Sequence, residues 1–160
     1  MGECFLFCVT DQKIFWLILN TMKTIDVKLV GNSMEPFLKA NDIITIRQQD
    51  LYTPGDILVF KYKEHQLLVH RLLMVKDGVY YCKGDNSFRI EDITIGQIAG
   101  RVISKNGYTI NHPPDELIKL SYQVNREYKK LGYNSELILN SSVYCKYWNY
   151  VNSIYDKIDE

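Results

Sequence analysis

The chain has 160 residues, 46% of them apolar and 24% charged, which suits one domain with a proper core plus a small appendage and leaves no room for two large lobes. Its 19 basic and 19 acidic side chains cancel, which argues against a dedicated nucleic-acid binder. The four cysteines, Cys4, Cys8, Cys82 and Cys145, form no CxxC knuckle, so they read as free thiols of a reducing cytoplasm, with no metal site and no cofactor expected.

In chain order, the first apolar run is "IFWLILN" at Ile14–Asn20. It falls far short of the roughly 20 residues that span a bilayer, so it predicts a core element or an amphipathic surface helix within an N-terminal extension, residues 1–24. From Ile25 the pattern turns β-like. "IDVKLV", "DIITIR", "DILVFKY", "LLVHRLLMV", "GVYYCKG" and "IAGRVI" follow one another at short intervals, separated by turn signals such as Pro54-Gly55-Asp56, Asp77-Gly78 and Asn106-Gly107. These predict a β-rich domain over residues 25–110. Beyond it, Pro113 and Pro114 suit a helix start, and Asp115 and Glu116 its first turn. Residues 111–160 therefore read as a helical C-terminal extension of two helices divided near Gly132. The fold class is mainly β, and α+β once the extension is counted.

The chemistry centres on "VGNSMEPFL". Ser33 stands where a strand ends, between Asn32 and Met34 with Pro36 beyond, in a turn able to present both a hydroxyl and a backbone N–H for an oxyanion. A serine hydroxyl is a poor nucleophile without a base in reach. The candidate base is His70, set in the apolar strand "LLVHRLL", and the carboxylate available to orient it is Asp85 in the turn "KGDN". Taken singly, each has a plainer reading as a turn serine, a core histidine or a turn aspartate.

Taken together, "GNSMEPFL", "PGDILVF", "LLVHRLL", "YYCKGDNS" and "IGQIAGRVI" occur in the order of the signature boxes of the type I signal peptidases, and the chain over about residues 28–103 resembles that family of serine endopeptidases. The resemblance implies a coiled β-sheet peptidase domain. With histidine rather than lysine at the base position, the chain is similar to the endoplasmic-reticulum, archaeal and sporulation-type branch. It implies Ser33 as nucleophile, His70 as general base and then acid, Asp85 as third member, and Asp92 as a second acidic candidate. The oxyanion donor would be the Ser33 backbone N–H, with Asn32 a further candidate because Gly31 stands where lysine-branch enzymes often place a hydroxyl. Met34 and Pro36 would line the substrate site, the thioether beneath the cleft and the proline fixing the turn.

What this implies for function is cleavage of a signal, leader or precursor peptide after small residues. Members of the family are normally held at a membrane by transmembrane helices; with no run long enough to span a bilayer, the chain is expected to be a soluble relative, cytoplasmic or peripheral at a membrane, any membrane contact running through a partner or a surface helix. Two alternatives are a noncatalytic peptide-binding module on the same fold and a self-cleaving repressor-type peptidase. The latter uses a lysine base and carries a DNA-binding domain for which residues 1–30 are too few.

Overall fold

The structure, a computed structural model, describes residues 5–6, 12–63 and 66–158; Cys4, Cys8 and His65 lie outside the described residues. The elements run β1 (Phe5–Leu6), α1 (Gln12–Met22), β2 (Thr24–Val30), β3 (Ile43–Arg47), β4 (Ile57–Tyr62), β5 (Gln66–Lys76), β6 (Val79–Lys83), β7 (Ile90–Ile93), a 3-10 turn at Ile95–Gln97, β8 (Ile98–Lys105), β9 (Tyr108–Thr109), α2 (Asp115–Lys130), α3 (Ser135–Leu139) and α4 (Ser142–Ile158). The extension thus holds a third, short helix besides the two expected, capped by the Asn134 side chain on the Leu137 N–H. The break before it falls at Gly132, with φ of +66°.

The strands form one antiparallel sheet in the order β1-β2-β3-β8-β4-β5-β6-β7, with β9 on β8. Because β1 also pairs with β5, placing Phe5 opposite both Val30 and Leu68, the first six strands of that order close into a ring. Two hairpins carry the turns that the sequence signals: Asp77-Gly78 and Asn106-Gly107 both have positive φ at both positions, the geometry that matches strand twist.

Alternation along β4 and β5 divides the core. Ile57, Val59, Leu67 and Val69 join Val27, Leu29, Ile44 and Val102 on one face, while Leu58, Phe60, Leu68 and Leu72 join Tyr80, Cys82 and Ile93 on the other. The helix α1 seats Phe15 and Leu19, one turn apart, in the first cluster and leaves Ile14 and Leu17 exposed. A third cluster belongs to the helical layer: Leu117, Leu120, Val124 and Tyr128 of α2 meet Ile138, Tyr147 and Val151, with Phe88 inserted from the loop between β6 and β7. No helix among the described residues is long and apolar enough to cross a membrane.

Burial of Phe15 and Leu19 makes α1 part of the core. Phe15→Ala should cost about 3–5 kcal/mol and Leu19→Ala about 2–5 kcal/mol in urea unfolding; losses below about 1 kcal/mol would mean that the helix is an appendage.

Candidate active site

β2 ends at Val30, and the turn that follows begins with Gly31 at φ +92°, a left-handed position that favours glycine. It is closed by hydrogen bonds from Glu35 N–H to Asn32 O and from Leu38 N–H to Met34 O. This directs Ser33 toward β5, where its Oγ lies 3.1 Å from His70 Nε2. The other ring nitrogen, Nδ1, lies 2.7 Å from Glu91 Oε2 on β7. An ionised carboxylate can only accept, so Nδ1 carries the proton and Nε2 turns its lone pair to the serine hydroxyl. Ser33 and His70 are 2% and 1% exposed and the Glu91 side chain 8%, so the relay is enclosed by the protein.

The carboxylate that His70 meets is therefore Glu91, not the expected Asp85 or Asp92. Asp85 is committed elsewhere: its carboxylate accepts from Arg71 Nε at 2.9 and 3.2 Å and from Arg71 NH2 at 2.8 Å. Arg71 follows His70 on β5 and so points to the other face of the sheet. There it also donates to Gly55 O and stacks over Phe37. Burial works against the Arg71 charge, but the attraction of Asp85 prevails and holds the guanidinium above its ordinary range. Asp92 fails for reasons of parity. In "IEDI" the buried residues are Glu91 and Ile93, while Asp92 faces solvent. Cys82 pairs with Glu91 and Tyr81 with Asp92, and Cys82 and Ile93 share the face of Leu68 and Leu72, on which His70 also lies. The sequence carries this signal only as an acid two residues before a core isoleucine, in a strand of four residues too short to show alternation.

The remaining expectations divide. Met34 is fully buried in the first core cluster, so its thioether packs beneath the turn that carries Ser33. Pro36 is half-buried within the turn. The Asn32 carbonyl accepts from Glu35 N–H and Asn86 Nδ2, whereas its side-chain Oδ1 is buried with no hydrogen-bond partner among the described residues. An oxyanion needs an N–H, and the orphan here is the acceptor end of the amide. The sequence marks Met34 and Asn32 as neighbours of Ser33 but carries no sign that one is buried in the core and the other holds an unsatisfied oxygen.

The "KGDN" turn backs this site. A Cβ on Gly84 would fall 2.6 Å from Ser33 O and 3.1 Å from His70 Nε2, so only glycine fits against the Ser33 peptide. Beyond it Asn86 N–H donates to Ser33 O at 2.8 Å. Lys83 is fully buried, with Nζ donating to Gly84 O and Ser121 Oγ. Burial lowers it from 10.5 to about 8, although the charges of Asp85 and Glu91 pull the other way. The neighbouring Cys82 thiol is pushed well above its usual range by burial and then by the Glu91 charge, which leaves it without nucleophilic thiolate. No group of side chains suited to a metal ion is found among the described residues.

The Lys83 shift has a definite sign. Between about pH 8 and 10.5 the unfolded chain keeps a proton on Lys83 that the folded chain has released, so stability rises with pH across that window. Urea unfolding at the two ends of the window should show a gain on the order of 1–3 kcal/mol in the wild type beyond that in Lys83→Met; parallel curves for the two proteins would contradict it.

A histidine within hydrogen-bond reach of a serine through one ring nitrogen and of a carboxylate through the other, on a closed antiparallel sheet, supplies the parts of a serine peptidase centre. A search of the curated proteins returns no match. The Peptidase S24-like family model matches residues 10–103, a span that holds Ser33, His70 and Glu91 and more than half of the chain, and the chain belongs to that family.

Proposed function

We propose that the protein is a serine endopeptidase of the histidine-base signal-peptidase type, which cuts a signal, leader or precursor peptide after small residues. The observation that carries this reading is the relay Ser33 Oγ–His70 Nε2, His70 Nδ1–Glu91 Oε2 at 3.1 and 2.7 Å. His70 Nε2 takes the hydroxyl proton as Ser33 Oγ attacks the scissile carbonyl, and the oxyanion forms against the Ser33 backbone N–H. The imidazolium, steadied by Glu91, gives its proton to the leaving amine as the C–N bond breaks, leaving an acyl-enzyme. Water then loses a proton to Nε2 and displaces Ser33, which recovers its hydrogen.

The sheet suggests where a peptide lies. β2 leads to Ser33 and β5 carries His70, and the gap between them is wide enough for one strand, since β1 sits there with Phe5 opposite Val30 and Leu68. An extended substrate taking that lane would pair its backbone on both sides and bring its reacting carbonyl to the enclosed relay.

Wild type, Ser33→Ala, His70→Ala, Glu91→Gln and Asp85→Asn should be incubated with pooled peptides containing leader-like sequences and read by mass spectrometry. Cuts after small residues should vanish in the first two variants and slow by about 100-fold or more in Glu91→Gln, which loses the orienting charge. Binding without cutting in every protein would favour the noncatalytic module instead.

A second reading is favoured by β1 itself: a segment of the chain's own N-terminal region already occupies the lane, so the first peptide cut would be this one. Intact-mass measurements on purified wild type over hours would then show a first-order, concentration-independent loss of N-terminal residues that is absent in Ser33→Ala. A wild-type mass that stays constant while added peptides are cut rules self-processing out.

A further inference from the structure

The helical layer takes no part in the chemistry above, yet its side chains reach the turn behind the active centre. Lys83 Nζ, buried with no carboxylate among the described residues as hydrogen-bond partner, donates to Ser121 Oγ of α2 at 2.9 Å and to Gly84 O at 3.1 Å, and lies 5.0 Å from the Tyr147 ring of α4. The Tyr147 hydroxyl donates to Asp85 O at 2.6 Å. A few residues on, Asn125 of α2 donates to Phe88 O at 2.8 Å, and the Phe88 ring sits in the helical core. The carbonyls of Gly84 and Asp85 are thus fixed from the helical side. The opposite side of the same turn meets the catalytic residues: Asn86 N–H holds Ser33 O, Asn86 Nδ2 holds Asn32 O, and the Gly84 Cα leaves no room for a methyl beside Ser33 O and His70 Nε2. The strand that follows delivers Glu91.

We propose that Ser121 and Tyr147 are positioning residues of the Ser33–His70 centre, acting through Lys83 and the Gly84–Asn86 turn, so that the helical layer is part of the peptidase. The proposal rests on the endopeptidase reading. Its physical basis is that a burial cost is kept where a neutral side chain would pack more cheaply: an ammonium enclosed with a carbonyl, a hydroxyl and a ring face as its contacts is a poor choice for stability alone. What the ammonium supplies is direction. It ties α2 to a carbonyl whose residue touches both nucleophile and base, and a displacement of a fraction of an ångström there alters the attack geometry directly.

Tyr147→Phe and Ser121→Ala each remove one hydroxyl and keep the packing, Ser121→Thr restores the hydroxyl, and Tyr108→Phe alters a 77% exposed tyrosine as control. With the best peptide from the cleavage pool, Tyr147→Phe and Ser121→Ala should lower kcat by about 10- to 100-fold at nearly constant KM, Ser121→Thr should recover most of it, and the control should match wild type. Amide hydrogen exchange gives a readout independent of activity: protection should fall over residues 84–91 and 32–38 in the two variants and stay unchanged in β3 and α1. Folded variants with wild-type kcat and wild-type exchange at the turn overturn the proposal. A wild type that cuts no peptide overturns the endopeptidase reading, and exchange alone then decides whether the helices hold the turn.

Discussion

Everything in the site depends on the two hydrogen bonds of one imidazole. His70 sits in the middle of an eleven-residue strand whose interior is buried, where an unpartnered polar ring would be costly. Glu91 on one nitrogen and Ser33 on the other satisfy it completely. That satisfaction fixes the tautomer, and the tautomer leaves an imidazole lone pair facing the Ser33 hydroxyl, as the proposed nucleophile requires. The sheet brings the partners together: β1, with β2 beyond it, and β6, with β7 beyond it, lie along the same edge of β5, the one opposite β4, and so Ser33 at the end of β2 and Glu91 on β7 both reach His70.

Adjacent residues on β5 run two separate electrostatic systems. His70 and its relay occupy one face, and Arg71 with Asp85 the other, both nearly inaccessible to water. Keeping them apart matters because a guanidinium bonded to Glu91 would compete with His70 for the same oxygens. Asp85 neutralises Arg71, and Glu91 is left to the imidazole. The turn that supplies Asp85 also presses Gly84 against Ser33 O, so the buried ion pair anchors the wall of the active centre. The helical layer completes that wall from behind through Ser121 and Tyr147.

Much of this was legible in the sequence. The six longer strands from Ile25 onward, the positive-φ hairpins and the pairing of Ser33 with His70 follow from alternation, turn chemistry and ordered motifs. Glu91 was not, because a four-residue strand with two adjacent acids offers too little periodicity to show which one faces inward; parity against Ile93 decides it only once β7 is known to pair with β6. Asp85 looked free because its partner, Arg71, is a neighbour in space and not in the motif. Met34 flanks Ser33 in sequence but packs with Leu38 and Phe15 inside. The ties from α2 and α4 to the turn join residues 38 and 62 positions apart, a separation at which no local pattern survives.

The relay is tested most directly by nitrogen-15 NMR of the three histidine rings, with His70 assigned by its loss in His70→Gln. The geometry predicts an Nδ1-protonated ring at neutral pH whose Nδ1 proton is shielded from solvent, exchanges slowly and shifts downfield, and that signature should disappear in Glu91→Gln while surviving in Asp85→Asn. A His70 ring protonated on Nε2, or one indifferent to Glu91 and sensitive to Asp85, would contradict the account.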